Sequence, residues 1–484
     1  MIKFGTSGWR GIIADDFTFD NVRIVTQAIA DYVKETSRKS AVRGKKQYRQ
    51  SVVVGYDTRF HSENFARISA EVLAGNGIEV LFTKRDCPTP VIAFEILRVK
   101  SAGGINFTAS HNPPEYNGLK FSPSWGGPAL PETTTAIEKK CIMLQTSPAK
   151  NKIKMMPYEQ AVNKGLISEI EPEKRYLKRI RELVDLKAIK KAKLKIVCDV
   201  LYGTGKGYLD ALLEESGCET RILHNYRNVL FGGHSPEPNK ANLSELLSIL
   251  KKEKYNLGLG TDGDADRFGI IDADGSFITP NDTIALLFDH LVRTRKWKGV
   301  VARSVMTTHL IDAVAKMHGV QVRETPVGFK YIGEVMTKEN MIIGGEESGG
   351  LTIMGHVPEK DGILACLLVA ELVAANGKPI KEILKDLYNR VGGAIMSTRL
   401  NFHMPMEKMN KIKEKLSKNP PSSIASLKVK EIVTIDGYKF LLENGSWVGL
   451  RLSGTEPVIR IYVEASSKKR IDVLAQASKK FLAS

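Results

Sequence analysis

Three stretches constrain the fold of this chain more than any other feature. "SVVVGYDTR" (51–59), "LKIVCDVLYGTG" (194–205) and "GVVARSV" (299–305) each read as a buried strand that runs into a polar or Gly-containing loop. Each is followed by a helical stretch, a Gly and a second short strand: "EVLAGNGIEVLF", "YLDALLEESGCETRIL" and "LIDAVAKMHGVQVRET". Strand–helix–strand units predict parallel pairing with helices packed on the sheet, because a parallel neighbour can be reached only by a crossover. Three units at wide, similar spacing predict three related α/β domains with mixed, largely parallel sheets. The helix after the amino-terminal motif fits this: Val22, Val25, Ile29, Tyr32 and Val33 recur at helical spacing, leaving Asp31, Lys34 and Glu35 for solvent.

The last ninety or so residues break the pattern. A helical 406–416 leads to a Pro420-Pro421 break, then to "EIVTIDGYKFLLENGSWVGLRLSG", whose Asp436-Gly437 and Asn444-Gly445 pairs are hairpin turns. A further strand (458–464) and a final helix from Lys468 complete a small antiparallel α+β domain. The expected division is 1–155, 156–278, 279–392 and 393–484.

Composition narrows the class. At 42% hydrophobic and 26% charged, with no low-complexity tract, the 484 residues suit a globular chain. Five separated cysteines without a C-x-x-C pair predict buried thiols rather than a disulfide or zinc framework. The longest apolar segment, 363–375, is interrupted by Glu371 and is too short to span a bilayer. The opening residues predict no signal peptide, and a cytoplasmic protein without a membrane partner is expected. The net charge of +17 is scattered, with small concentrations at 43–49 and 150–154. Without a nucleic-acid-binding pattern it reads as a lysine-coated surface or a preference for anionic substrates, with no nucleic-acid partner.

Four stretches carry chemistry. "FTASHNPPEYNGLK" (107–120) is a poor helix and a poor central strand, but its prolines suit a stiff loop presenting Ser110 and His111. "GTDGDADRFG" (260–269) sets Asp262, Asp264 and Asp266 at alternate positions, and a curl at Gly263 would bring them together. Carboxylates this close either shift their pKa or neutralise a cation, and all-oxygen ligands favour Mg²⁺ over Ca²⁺. The EF-hand pattern fails, since Arg267 and Ala273 stand where Gly and Glu are required. "GGEESGG" (344–350) offers Glu346, Glu347 and Ser348 on a glycine-rich loop, a set suited to sugar hydroxyls or to nothing more than a flexible turn. "RLSGTEPVIRIYVEA" (451–465) gathers Arg451, Ser453, Gly454 and Thr455, with Arg460 on the next strand, as a phosphate cradle or a plain hairpin. "GTGKG" (203–207) does not complete a P-loop.

Together with the amino-terminal "FGTSGWRG", these motifs resemble the α-D-phosphohexomutase family of phosphoglucomutases and phosphomannomutases, in order along the whole chain. The resemblance implies four domains around a central cleft, with Ser110 carrying a transferable phosphoryl group. Asp262, Asp264 and Asp266, with an oxygen on Ser110, would hold Mg²⁺, and Arg267 would contact the phosphoryl group. Arg10, His111 and Lys120 match positions lining the reacting end, where His111 or Lys120 would handle protons or phosphate charge. Lys330 of "TPVGFK" matches a substrate-facing lysine. Glu346 and Ser348 would bind sugar hydroxyls, and Arg451, Ser453, Gly454 and Thr455 the phosphate that does not react, with Arg460 as a second cation.

The implied reaction interconverts hexose 1-phosphate and hexose 6-phosphate, glucose before mannose or glucosamine, through glucose 1,6-bisphosphate. The enzyme would act on a small phosphosugar as a monomer or homodimer. Many bacterial members read G-E-x-S-G-H, whereas Gly350 follows Ser348-Gly349 here and a histidine comes only at His356. A bisphosphate synthase using the same serine, and a phosphosugar-binding protein without turnover, are the rival readings.

Overall fold

The computed structural model describes residues 2–5, 8–42, 49–147, 152–453 and 457–483. Four sheets follow one another along the chain. In the first, the spatial order is Trp9–Ile12, Tyr116–Pro123, Ser101–Phe107, Arg49–Tyr56, Glu79–Thr83 and Ile167–Ile170. The last four run parallel and the first two are joined antiparallel. Val52, Val53 and Val54 are all fully buried, as in a parallel strand covered on both faces. The strand Ile167–Ile170 carries this sheet past the expected limit at 155. It is a short edge strand with Ser168 and Glu169 exposed, which leaves little apolar pattern to read.

The second sheet orders Phe277–Ile278, Phe268–Asp272, Leu257–Thr261, Lys195–Asp199 and Glu219–Leu223. The third orders Gln321–Thr325, Val300–Ser304, Met341–Glu346 and Gly350–Ile353. Both hold three parallel strands extended on one side by antiparallel pairing. The fourth is antiparallel throughout, Met396–His403, Val458–Ala465, Trp447–Leu452, Tyr438–Leu442, Leu427–Val433 and Ser423–Ile424. Its turns use Gly437 and Gly445 at φ 83° and 82°. Helices Met406–Lys418 and Lys468–Ala483 bury Met409, Leu416, Ile471 and Leu474 in the same core as Phe440, Val448 and Ile461.

One topological rule places the chemistry. Each of the four motifs connects two antiparallel neighbours of its own sheet. In the first three sheets that connection leaves the carboxyl end of a parallel strand, where α/β folds present their loops to ligands.

The second and third units share one continuous core rather than two separate ones. Its centre is the helix Gly362–Asn376, buried from Gly362 through Val373 on every side, as an all-round apolar helix must be. Glu371 does not break it. The carboxylate is buried against His290 (2.8 Å) and Arg295 (2.7 Å) and accepts the Asp185 amide (2.7 Å). Among the described residues no single helix is long and apolar enough to cross a membrane. All five cysteines are free and buried. In the helix Phe19–Val42 the expected apolar face is buried, but Asp31 and Lys34 are half-buried rather than facing solvent. They bond to Gln27 (3.0 Å) and Asn76 (3.1 Å).

Candidate active site

Ser110 is buried and adopts φ +54°, a left-handed conformation that costs a non-glycine residue about 1–2 kcal/mol. The cost is met by Arg59 more than by the prolines. Arg59 is fully buried. Its Nη1 donates to the carbonyls of Pro113 (2.8 Å) and Tyr116 (3.0 Å), and its Nη2 to those of Ser110 and Asn112 (2.6 Å each). Nε faces Asp57 at 3.2 Å and the guanidinium lies 4.9 Å from the Phe231 ring centre. Thr108 Oγ1 accepts the Ser110 amide (2.9 Å). The loop is thus wound around one guanidinium. Ser110 Oγ, so held, donates to Asp262 Oδ2 at 2.7 Å and lies 3.3 Å from His111 Nδ1.

The three aspartates converge, with one oxygen of each within 4.8 Å of the others and all three carboxylates buried. The curl expected at Gly263 falls at Ala265, φ +53°. Gly263 is needed for close approach instead: a Cβ there would lie 2.7 Å from the Ser110 carbonyl oxygen. "GTGKG" also finds a use, since a Cβ on Gly203 would meet the Asp262 and Gly263 carbonyls at 2.8 Å. The segment backs the acidic loop from behind. From the third unit, Gly362 N–H donates to the Ala265 carbonyl (3.0 Å).

Asp262 Oδ1 accepts the amides of Asp266 (2.9 Å) and Arg267 (3.0 Å). Lys120 Nζ bridges Asp264 Oδ2 (2.6 Å) and Asp266 Oδ2 (2.8 Å), and Lys360 Nζ reaches Asp266 Oδ2 at 2.7 Å. Thr89 Oγ1 donates to Asp264 Oδ2. Burial opposes the charged form of all three carboxylates. For Asp264 and Asp266 the lysines overcome it and hold both below the usual aspartate value. Asp262 has no ammonium of its own, so burial and its two acidic neighbours push it well up. Burial works against Lys120 too, but Asp264 and Asp266 keep it above the ordinary lysine range.

Asp264 Oδ1 and Asp266 Oδ1 are buried without a hydrogen-bond partner. Orphaned carboxylate oxygens on converging, all-oxygen ligands fit a hard divalent cation such as Mg²⁺.

Arg10, His111 and Arg267 meet beside this cluster. Arg10 Nη1 donates to Asn112 Oδ1 (2.5 Å), and burial followed by Arg267 brings its pKa down to about 10. Burial, then Arg267 and Arg10, hold His111 well below the usual histidine value, so its imidazole is neutral at pH 7. Arg267 lies 3.7 Å from Glu237.

Glu346 ends its strand with Oε1 accepting the Gly328 amide (2.7 Å), and burial plus Glu347 raise it to about 7. Ser348 is half-buried in the turn that follows, before Gly349 at φ +92°. Lys330, its pKa lowered by burial, stands 5.4 Å from the Tyr331 ring centre. On the fourth sheet Arg451 pairs in register with Arg460, and Ser453, buried, donates its amide to the Val458 carbonyl (3.0 Å). Gly454 and Thr455 lie outside the described residues. His356 is no part of the site. Its Nε2 faces Asp361 (2.7 Å), which also accepts Tyr176 Oη (2.6 Å), in a buried cluster.

Sequence reasoning passed over Arg59, Lys360 and Glu359. Glu359 is raised to about 7 by burial, with Lys360 opposing. A signal existed for Arg59, because the polar "DTR" at the carboxyl end of a parallel strand sits where such folds place functional groups.

Family models for the four domains of "Phosphoglucomutase/phosphomannomutase" match residues 1–146 (alpha/beta/alpha domain I), 174–275 (domain II), 279–391 (domain III) and 401–480 (C-terminal domain). A "Phosphoglucomutase/phosphomannomutase" of Thermococcus kodakarensis is 31% identical over 96% of this chain and 95% of its own length. A "Probable phosphoglucosamine mutase" of Methanosphaera stadtmanae is 30% identical over 99% of this chain and 98% of its own. Among solved structures, a Thermus thermophilus protein described as a phosphomannomutase superposes with a TM-score of 0.83 at 34% identity, covering 100% of this chain and 99% of that one.

Proposed function

The chain belongs to the phosphoglucomutase/phosphomannomutase family and is a mutase of the α-D-phosphohexomutase type, and from that premise we propose that it interconverts glucose 1-phosphate and glucose 6-phosphate through a phosphorylated Ser110. The single observation that carries the reading is Ser110 Oγ at 2.7 Å from Asp262, on a strained loop, above a buried aspartate triad with two orphan oxygens.

Asp262, Asp264 and Asp266, with an oxygen on Ser110, would hold Mg²⁺. Bound there, the ion supplies charge that offsets the phosphoryl oxygens during transfer. The chain's own groups do the rest. Phosphoryl transfer is mainly positioning and charge stabilisation, and a serine carrier divides it into two steps. In the first, the bond from phosphorus to Ser110 Oγ breaks as one forms to the sugar 6-oxygen. The hydroxyl proton passes to His111, whose neutral imidazole can accept it. Arg10, Arg267 and Lys120 remain charged and meet the phosphoryl oxygens. The bisphosphate then turns over and returns its 1-phosphoryl group to Ser110 by the reverse bond exchange.

Arg451, Arg460, Ser453, Gly454 and Thr455 would hold the phosphate that is not reacting, with Lys330 beside it. Glu346 and Ser348 would bind the sugar hydroxyls. Gly350 sets this loop apart from members that carry histidine at this point, since a Cβ there would lie 2.2 Å from Lys360 Cδ. Lys360 occupies the space a side chain at 350 would need.

A ³¹P NMR time course tests this. Protein is mixed with Mg²⁺, a trace of glucose 1,6-bisphosphate and glucose 1-phosphate, with mannose and glucosamine 1-phosphates in parallel and Ser110→Ala beside each. Fastest conversion of the glucose ester by the native chain, and none by the variant, is expected. Conversion by Ser110→Ala would sink the mechanism, and a faster mannose or glucosamine reaction would sink the sugar assignment.

A further inference from the structure

Among the described residues Arg451 is held by a carboxylate that nothing in the preceding mechanism uses. Asp436, in the turn between Leu427–Val433 and Tyr438–Leu442, accepts Arg451 Nε on both oxygens at 3.1 Å. The same Oδ2 accepts the Val327 amide of the third unit at 3.1 Å. Val327 lies in "TPVGFK", just before the helix Phe329–Lys338 that carries Lys330, and the next residue, Gly328, donates its amide to Glu346. One carboxylate therefore ties the arginine of the fourth sheet to the segment that leads into the helix of Lys330 and bonds Glu346 through Gly328.

The turn is built to press Asp436 against that arginine. Gly437 has φ +83°, and a Cβ on it would lie 2.6 Å from the Leu450 carbonyl oxygen and 3.2 Å from Arg451 Cα. Among the described residues the carboxylate meets the guanidinium at Nε, apart from the pair of terminal nitrogens that a bidentate phosphate would use. Arg451 stands in register with a second arginine, Arg460, so a carboxylate beside it also offsets a like charge. We propose that Asp436 is the positioning residue of the phosphate-binding site: it fixes the plane of Arg451 and sets it at a defined distance from Lys330 and Glu346, so that the distal phosphate and the sugar are read together.

This inference rests on the reading of Arg451 as a phosphate ligand. A distal phosphate is held equally in ground and transition states, so weakening its grip raises KM and spares kcat. Asp436→Asn keeps an acceptor for Val327 and removes the charge that orients Arg451. It should raise KM for glucose 1-phosphate about tenfold, with kcat within about threefold, as expected for loss of one charge-assisted bond. Asp436→Glu, which keeps the charge, should recover part of that loss and provides a second variant should Asp436→Asn fold poorly. Arg451→Ala should raise KM by more than either, and adding Asp436→Asn to it should raise KM no further.

Three results separate the possibilities. If Arg451→Ala leaves KM unchanged, the phosphate reading of Arg451 is wrong. If Arg451→Ala raises KM but Asp436→Asn and Asp436→Glu do not, the positioning role is wrong and the phosphate reading stands. If Asp436→Asn lowers kcat and melting temperature with KM constant, or multiplies KM fully on top of Arg451→Ala, Asp436 is a structural or independent residue and the proposal is overturned.

Discussion

Replacing Arg59 by lysine tests how the serine loop is held. The guanidinium, fully buried, gives four bonds to loop carbonyls at 2.6–3.0 Å and faces Asp57 at 3.2 Å. Burial drives the pKa of Asp57 up and that of Arg59 down, each against the pull of its partner. The pair is therefore poor stabilisation for its own sake, and its value lies in shaping the loop. Lysine keeps a charge near Asp57 but cannot serve four carbonyls in two directions. Losing bonds to a charged donor costs roughly 1.5–3 kcal/mol each before water and relaxation recover part, so a net loss of about 3 kcal/mol is expected.

Set against the left-handed cost at Ser110 of about 1–2 kcal/mol, that loss leaves the productive loop a minor conformer. The expected kcat is down about 10- to 100-fold with KM nearly unchanged, because the bonds lost all hold the Ser110 loop. A coupled assay for glucose 6-phosphate gives both constants, and urea unfolding gives the stability loss as a lower midpoint at constant slope. A folded Arg59→Lys enzyme with kcat within twofold of the native value would refute the account of the loop.

The remaining predictions concern the triad and its surroundings. Mg²⁺ should raise the melting temperature of the native chain by linkage, about 2.7 kcal/mol at a hundred times its Kd; Asp264→Asn should lose most of that shift, and an equal shift in both would place the ion elsewhere. Glu346, raised to about 7, accepts from sugar hydroxyls on both oxygens only when ionised, so kcat/KM should fall as pH drops below about 7, and Glu346→Gln should remove that limb. In stability the sign is opposite. The folded state keeps the proton while the unfolded glutamate releases it above about 4.3, so this group's contribution is lost as pH rises from there toward 7; a urea midpoint series on native and Glu346→Gln protein checks the slope. Gly362→Ala would set a Cβ 2.2 Å from the Arg267 carbonyl oxygen and 3.0 Å from that of Ala265, displacing the acidic loop at about 1–3 kcal/mol, which calorimetry would read. An unchanged melting temperature would show that the loop gives way freely.

Much of this molecule was legible beforehand because it depends on local pattern. The buried runs at 52–54, 196–199 and 300–304 could hardly be anything but parallel strands, and Gly437 and Gly445 mark turns that only such residues make cheaply. The triad was legible as well, since its spacing is a short-range property. What escaped depends on distance in sequence. Arg59 meets Ser110 across the sheet, Lys360 reaches Asp266 from another unit, and Asp436 touches Val327 across the seam between the third and fourth sheets. The shared core around Gly362–Asn376 is of the same kind, because an all-round apolar helix reveals that it is buried but not between what. The curl expected at Gly263 falls at Ala265, and here the reason for the miss is different. Gly263 is small because Ser110 presses on it, a contact with no trace in the sequence around it.

The central claim is that Ser110 carries the phosphoryl group. Incubation with glucose 1,6-bisphosphate and Mg²⁺, followed by peptide mass spectrometry, tests it directly. With ¹⁸O-labelled phosphoryl groups on the bisphosphate, the expected result is one labelled phosphoryl group on the peptide containing Ser110, exchanged for an unlabelled one on chasing with unlabelled glucose 1-phosphate, and none on Ser110→Ala. Turnover with Ser110 unmodified, or a phosphoryl group on any other residue that chases at the turnover rate, would contradict it.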